Sequence, residues 1–185
     1  EIAGYLKGRV ILVTGAGGSI GSELVRQISQ YQPATLLLFG RGENSIFGIQ
    51  QELARTWPEI KQVGLIGDVR DEARLRYVFE TYRPEVVFHA AAHKHVPLME
   101  QAPSEAILNN VIGTRNVVEL CLEFGVGRLV NVSTDKAVNP TSVMGASKRV
   151  AEMTVSAGAA RARRPRKGVG RRRGGRPADG WSEPA

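Results

Sequence analysis

The sequence is poor in cysteine and in aromatic residues, and it has no long apolar run. Among 185 residues there is one cysteine, Cys121, and 6% are aromatic. A lone cysteine cannot form an internal disulfide, so we expect a reducing, cytoplasmic environment. No apolar run approaches the ~20 residues that a membrane-spanning helix needs, and no signal peptide is recognisable. The first residue is Glu1 rather than Met, which indicates a processed chain or a piece of a longer one.

The net charge of +7 is confined to the C-terminal end of the chain. Residues 1–156 hold 16 Lys and Arg against 16 Asp and Glu, whereas residues 157–185 hold 9 against 2. The latter segment contains no Leu, Ile, Phe, Met or Tyr and has too little apolar surface to offset chain entropy. We therefore expect one domain over residues 1–156 and a disordered Arg/Gly/Pro-rich tail over residues 157–185.

Two other interpretations of the tail stay open. The abrupt change of composition is also what truncation of the natural chain, or a shift of its reading frame, would produce. Alternatively, the arginines could bind RNA, DNA or anionic lipid through their charge. Apart from Trp181 the tail has no aromatic residue on which bases could stack, so we expect no specific nucleic-acid partner.

Short apolar runs alternate with amphipathic helical patterns over the first 156 residues. Continuous apolar runs are typical of strands covered on both faces, and alternation with helices predicts right-handed crossovers and a parallel sheet. We predict an α/β, doubly wound Rossmann-type domain with strand order 3-2-1-4-5. Its five strands are expected near residues 10–13, 36–39, 63–66, 86–88 and 128–132.

A glycine-rich turn, TGAGGSIG, follows the first strand and opens a helix at residues 14–21. Glycine at the first position permits a tight turn, the second lets backbone amides approach a pyrophosphate, and the third allows close packing of helix on sheet. The helix N-terminus favours an anion. We therefore predict that a dinucleotide contacts Gly15, Gly18, Ser19, Ile20 and Gly21.

The residues after the second and third strands bear on the choice between NADP(H) and NAD(H). An acid after the second strand would bind the ribose 2′-hydroxyl of NAD, but Gly40 and Arg41 stand there. Arginine can pair with the 2′-phosphate of NADP, so we expect NADP(H). NAD(H) remains the alternative, with Glu43 turning back to the ribose. Asp68 and Val69 are expected beside the adenine.

Several motifs in one order resemble the CapD-type polysaccharide-biosynthesis nucleotide-sugar epimerases and dehydratases of the extended short-chain dehydrogenase/reductase superfamily. The motifs are residues 14–23, 67–71, 89–97, 109–114 and 133–137, together with Lys148. The resemblance covers about residues 8–154 and none of the tail. It implies a UDP-N-acetylhexosamine substrate and tightly held NADP(H) or NAD(H). We expect a homo-oligomer, and contact with a membrane only through upstream segments that long members of the family carry.

The resemblance also assigns catalytic roles to three adjacent residues. It makes Asp135 the acid and Lys136 the base, with Thr134 beside them to hydrogen-bond the substrate. Such chemistry needs an acid and a base at the carboxyl end of a strand, where the cofactor of a Rossmann domain lies. A structural ion pair or turn at Asp135 and Lys136 is the alternative.

One position departs from the Tyr-x-x-x-Lys pair of many relatives. Met144 stands where the tyrosine would be, and a thioether cannot exchange a proton near neutral pH. Long CapD-like members also carry Met there. The group that removes the proton from the C4 hydroxyl is therefore open among Thr134, Lys136 and water, while Lys148 keeps the ribose-binding role that the resemblance implies.

The remaining candidate residues lie after the fourth strand and in the next helix. Small side chains at Ala90, Ala91 and Ala92 leave room for a cofactor, Lys94 is placed to meet phosphates, and Asn109 resembles a cofactor contact. The three histidines have no cysteine or carboxylate cluster beside them, and we expect no metal site. Because the segments that would grip the sugar are not recognisable after residue 156, we expect impaired turnover, or a cofactor-binding module alone.

Overall fold

The computed structural model describes residues 2–163 and shows one parallel sheet between two layers of helices. The strands are β1 (Val10–Thr14), β2 (Thr35–Gly40), β3 (Lys61–Ile66), β4 (Val86–His89) and β5 (Arg128–Asn131). They lie in the order β3-β2-β1-β4-β5, and each observed pairing is parallel. The predicted Rossmann arrangement is confirmed.

Helices connect the strands and continue beyond the last one. They are α1 (Ile2–Leu6), α2 (Ser19–Ser29), α3 (Glu43–Thr56), α4 (Glu72–Tyr82), α5 (Val96–Gln101), α6 (Pro103–Ala106), α7 (Gly113–Phe124) and α8 (Val143–Arg163). A π-helical stretch, Ile107–Ile112, joins α6 to α7, and a 3₁₀ turn, Asp135–Ala137, precedes α8. No helix within residues 2–163 is long and apolar enough to cross a lipid bilayer.

The two faces of the sheet explain why the strands are apolar without alternation. Leu12 points into one core with residues of α4, α7 and α8, whereas Ile11 and Val13 point into the other with residues of α2 and α3. All three are fully buried. Each such side chain stabilises the fold by roughly 1.5–3 kcal/mol, so both helical layers are needed to hold the sheet.

The helical run expected over residues 104–124 is observed, but it is not a uniform α-helix. The π-helical stretch has a wider turn, and both of its asparagines, Asn109 and Asn110, are buried. The Asn110 side chain makes four hydrogen bonds, two of them to the backbone of His93 in the loop after β4. π-Helical turns are rare and occur often at functional sites. Sequence periodicity gives no sign of this change of pitch.

The last helix extends past the expected domain boundary at residue 156. α8 continues to Arg163, and Ala159 packs beside Val155 in the core on the α7 side. Arg161 forms an ion pair with Glu119 of α7. Alanine favours helix and needs little room, so residues 157–163 belong to the domain and the expected disorder does not hold for them. The rest of the tail, with the nucleic-acid alternative, lies outside the described residues.

Polar side chains form a row across the carboxyl ends of the central strands. Thr14 of β1 pairs in register with His89 of β4, which pairs with Asn131 of β5. The His89 ring contacts the Thr14 hydroxyl through Nδ1 at 2.6 Å and the Thr114 hydroxyl through Nε2 at 3.0 Å. Within residues 2–163, Asn131 Oδ1 is the buried side-chain atom without a hydrogen-bond partner.

The hydrogen bonds of this row define a neutral His89. The Thr114 hydroxyl donates to the backbone carbonyl of Asn110 at 2.6 Å, so it accepts from Nε2–H of His89. Nδ1 is then free to accept from the Thr14 hydroxyl. Burial, and to a lesser degree the charge of Lys148, lowers the pKa of His89 to about 3. The neutral ring therefore ties β1, β4 and α7 together.

This burial predicts an acid-dependent loss of stability. A histidine in the unfolded chain titrates near pH 6.5, whereas the folded protein keeps His89 neutral to about pH 3. Between those values the unfolded state binds the extra proton, so the free energy of unfolding falls by up to about 1.4 kcal/mol per unit of decreasing pH. Urea denaturation of the wild type and of His89→Gln between pH 7.5 and 5 measures this slope, which the substitution should reduce.

His95→Gln is the matched control, because His95 is an exposed histidine of the same region. It should leave the slope as in the wild type. Equal slopes in the wild type and His89→Gln would contradict the assignment of a buried neutral ring.

Candidate functional site

A cleft of about 250 Å³ opens at the carboxyl ends of the first four strands. It lies where the chain crosses from one side of β1 to the other, since β2 and β4 are the two neighbours of β1. Ligands of doubly wound sheets bind at such a switch point. Its walls are Gly15, Gly17, Gly18, Phe39, Gly40, Arg41, Gly42, Ser45, Gly67, Asp68, Val69, Ala90, Ala91, Ala92, His93 and Asn109.

The glycine turn after β1 is shaped by two close approaches of the backbone. Gly15 has φ +71°, and a Cβ there would lie 2.8 Å from the amide nitrogen of Ala91. A Cβ at Gly21 would overlap the carbonyl oxygen of Gly15. Glycine is therefore required at both positions, once for the left-handed turn and once for the packing of α2 on that turn.

The first backbone amides of α2 begin at the cleft, where Gly18 lines the wall; the predicted contacts Ser19, Ile20 and Gly21 follow Gly18 and are not among the wall residues. Gly18 occupies the N-cap in an extended conformation and has no side chain with which to cap them. The first hydrogen bond of the helix runs from the amide of Ser22 to the carbonyl of Gly18 at 2.8 Å. The amides of Ser19 and Ile20 precede it, and both residues are exposed. Such a helix start binds anions through its amides and its dipole.

Arg41 and Asp68 line the cleft next to each other, just after the ends of the adjacent strands β2 and β3. Nη1 of Arg41 lies 3.5 Å from Oδ2 of Asp68, and 48% of the arginine side chain is exposed. Arg70 donates to the same carboxylate at 2.8 Å and to Glu105 at 2.9 Å. Burial acts to raise the pKa of Asp68, but the hydrogen bonds from Arg70 outweigh it and hold the pKa below its ordinary value. Asp68 is thus ionised, and Arg41 keeps free hydrogen-bond donors.

The other predicted cofactor contacts divide into two groups. Ala90 to Ala92, Val69 and Asn109 line the cleft as expected. Lys94 is exposed and Glu43 begins α3; neither is among the residues of the cleft wall.

The predicted acid and base lie on the 3₁₀ turn after β5, outside the cleft wall. The side chains of Asp135 and Lys136 are 88% and 56% exposed, and Nζ lies 3.6 Å from Oδ1. The Thr134 hydroxyl donates to Oδ1 of Asp135 at 2.9 Å. That hydrogen bond, and then the charge of Lys136, lowers the pKa of Asp135. The carboxyl group is ionised at neutral pH here and would need desolvation by a ligand before acting as an acid.

The Met–Lys pair at the start of α8 is buried. Met144 is 2% exposed and packs with Met99 and Ala106, away from water. Lys148 is 6% exposed, and its Nζ donates to the carbonyl of Val132 at 2.6 Å. Burial lowers the pKa of Lys148, an effect that the carboxylate of Glu152 partly offsets. The ammonium group has two further hydrogens to donate.

Metal ligands are not grouped in the described part of the chain: residues 2–163 contain no cluster of three or more His, Cys, Asp or Glu that could hold an ion.

Several residues of the site were missed by sequence reasoning. Phe39, Ser45 and His93 line the cleft, and Glu152 contacts the loop of the predicted dyad. Phe39 and His93 lie at or just beyond strand ends, so the rule that ligands bind at carboxyl ends could have found them. Ser45 and Glu152 lie within helices, and only the folded chain brings them to the site.

Comparisons with known proteins agree with this geometry. A family model described as polysaccharide biosynthesis protein matches residues 11–175. The capsular polysaccharide biosynthesis protein CapD of Staphylococcus aureus is 54% identical over 83% of this chain and 26% of its own length. A UDP-N-acetylglucosamine 4,6-dehydratase (inverting) of Campylobacter jejuni is 37% identical over 76% of this chain and 41% of its own. This chain thus spans less than half of these relatives.

Solved structures show the same fold. Pen from Bacillus thuringiensis is 32% identical with a TM-score of 0.76, over 83% of this chain and 48% of that one. A double mutant of DesIV, a dTDP-glucose 4,6-dehydratase from Streptomyces venezuelae with NAD and DAU bound, is 26% identical with a TM-score of 0.67, over 80% and 50%. The resemblance to the CapD-type proteins is confirmed. The chain belongs to the polysaccharide biosynthesis protein family.

Proposed function

We propose that this chain is the cofactor-binding part of an NADP(H)-dependent nucleotide-sugar 4,6-dehydratase or epimerase that acts on a UDP-N-acetylhexosamine. The observation that carries the proposal is the cleft at the switch point of the sheet, bounded by the uncapped start of α2 and by Arg41. The names of the relatives agree with the reaction class. The cytoplasmic location and the homo-oligomer remain predictions.

A nicotinamide dinucleotide fits the residues of the cleft. The amides at Ser19 and Ile20 would hold the diphosphate, because they lie at the positive end of α2. The small side chains of Ala90 to Ala92 leave room for the cofactor at the opposite wall, and Asp68 and Val69, which also line the cleft, would border the adenine. The DesIV structure contains NAD, which supports a nicotinamide cofactor for this related chain.

The preference for NADP(H) rests on Arg41. Its guanidinium lines the cleft and reaches Asp68 with one nitrogen, so its remaining donors can pair with a 2′-phosphate. Glu43, the residue that would instead accept from a ribose 2′-hydroxyl, begins α3 outside the cleft wall.

The chemistry divides between the cofactor and the turn after β5. When bound, the nicotinamide would accept a hydride from C4 of the sugar and return it at C6. Oxidation at C4 makes the C5 proton removable, and the neutral form of Lys136 would take that proton while Asp135 protonates the departing C6 hydroxyl, which leaves as water. Lys136 would give the proton back to C5 when the hydride returns to C6. Because Asp135 is ionised in this structure, substrate must cover the carboxylate and raise its pKa before it can donate.

The first proton, from the C4 hydroxyl, cannot go to Met144. A buried thioether exchanges no proton, and Met144 faces an apolar cluster. Thr134, Lys136 or a water molecule would serve. Lys148 would donate one of its two free ammonium hydrogens to the ribose, while the carbonyl of Val132 continues to accept the third.

We further propose that the 185-residue chain turns over substrate weakly. Its dyad is largely exposed, and catalysis by an acid and a base depends on positioning and on exclusion of water.

The first prediction concerns Arg41. Replacing Arg41 with Ala should weaken NADPH binding by about 10- to 100-fold, the usual range for a lost charge-assisted contact, and change NADH binding by less than about twofold. Fluorescence titration of both reduced cofactors measures the two dissociation constants. Arg55→Ala, an exposed arginine in the last turn of α3, is the matched control. Tighter binding of NADH than of NADPH by the wild type would contradict the NADP(H) proposal.

The second prediction concerns turnover. With UDP-N-acetylglucosamine and NADP⁺, the chain should produce 4-keto-6-deoxy sugar at least about 100-fold more slowly than ordinary enzymes, because the dyad is open to water. Mass spectrometry of the sugar nucleotide measures the product, and cofactor titration of the same sample shows that the protein is folded. A rate of about 1 s⁻¹ or more would contradict the expected impairment.

A further inference from the structure

The loop that bears Asp135 and Lys136 is joined to α8 at three points. Residues 145, 148 and 152 share one face of that helix, since they are three and four positions apart. A Cβ at Gly145 would overlap the carbonyl oxygen of Lys136, so the helix and the loop are in close backbone contact. Lys148 donates to Val132, and the hydroxyl of Ser133 donates to Oε1 of Glu152.

Ser133 and Glu152 form a charge-assisted hydrogen bond. The hydroxyl donates to an ionised carboxylate, and such bonds are shorter and about twice as strong as neutral ones. Only 14% of the Glu152 side chain is exposed, and Arg149 contacts the second oxygen, Oε2, at 3.1 Å. Both oxygens of Glu152 are thus used, and the carboxylate is fixed in place.

The rest of the loop is stabilised mainly within itself. Thr134 caps the 3₁₀ turn, and its hydroxyl and the amide of Lys136 both donate to Oδ1 of Asp135. These bonds shape the turn but do not set its distance from α8. The amide of Val132 fixes the start of the loop to the carbonyl of His89 at 3.0 Å, and beyond that point the place of the loop relative to Lys148 depends on the contacts with the helix.

We propose that Glu152 is a positioning residue, which holds Ser133 and thereby fixes the loop of Asp135 and Lys136 against the helix that carries Lys148. The inference rests on the proposed function for its catalytic meaning, because the loop matters as the carrier of the dyad. The hydrogen bond between Ser133 and Glu152 is present in the free protein, so its effect on the loop can be measured without cofactor.

Glu152 also acts on the charge of Lys148. Two titratable groups are coupled to Lys148: Glu152 on the same helix, which raises its pKa, and the neutral His89 on β4. Removing the carboxylate charge would lower the pKa of Lys148 further, because burial would then act unopposed.

The experiment is hydrogen–deuterium exchange of the peptide covering residues 132–138 in the 185-residue chain without cofactor. Ser133→Ala removes the hydrogen bond and keeps the charge, whereas Glu152→Gln keeps an acceptor. Ser133→Ala and Glu152→Ala should each speed exchange by about tenfold or more, in the range expected for a lost hydrogen bond to a charged group. The double variant should exchange like Glu152→Ala, and Glu152→Gln should stay within about threefold of the wild type.

Glu119→Gln is the matched control, because Glu119 also pairs with an arginine of α8 but lies outside the loop. It should leave exchange of the peptide unchanged. Exchange within twofold of the wild type in both Ser133→Ala and Glu152→Ala would overturn the inference. If Glu152→Ala does not fold, Ser133→Ala decides alone.

NADPH titration from pH 7 to 10 separates positioning from simple stabilisation. In Glu152→Gln the affinity should fall at a lower pH than in the wild type, whereas Ser133→Ala should keep the wild-type profile. Coincident profiles for Glu152→Gln and the wild type would show that Glu152 does not act on Lys148. Failure of the wild type to bind either dinucleotide would overturn the proposed function. The exchange data would still decide whether Glu152 holds the loop through Ser133.

Discussion

The position of the start of α2 depends on close backbone contacts at two glycines, where a side chain would not fit. Gly15 turns in the left-handed region against the backbone of Ala90 and Ala91, and Gly21 lets the helix pack on that turn. The first amides of α2 then have no capping side chain, at the point where Gly18 lines the cleft. A diphosphate placed there would satisfy amides that otherwise need water. Arg41, Asp68 and Ala90 to Ala92 lie beside this turn because the carboxyl ends of four parallel strands meet at the same edge of the sheet.

The cleft and the turn after β5 differ in how far their side chains are fixed before a ligand binds. The cofactor cleft has defined walls, and Asp68 is held by Arg70 in a fixed, ionised form. The turn after β5 is open to solvent, with Asp135 ionised and Lys136 largely exposed. Between them lies a buried polar layer of His89, Thr114 and Asn110, which joins the strand ends to α7. Binding groups are thus preorganised, whereas the proposed acid and base still need a covering substrate.

The sequence was sufficient for the parts of the fold that depend on local patterns. Continuous apolar runs marked the strands, and the glycine spacing marked the turn, because both signals lie within a few neighbouring residues. The π-helical stretch was not predictable, since its asparagines are paired with the distant His93 backbone and Ser147. The end of α8 was misjudged because alanine-rich composition resembled the tail, although Ala159 has a packing partner on the folded chain. Glu152 carried no motif signal, because its partner Ser133 is 19 residues away.

The most direct test of the central claim is a crystal structure of this chain with NADPH. The account predicts diphosphate oxygens at hydrogen-bonding distance, about 3 Å, from the amide nitrogens at the start of α2, with the 2′-phosphate beside Arg41. An empty cleft in crystals grown with saturating NADPH, or a diphosphate bound away from Gly18 and Ser19, would contradict it.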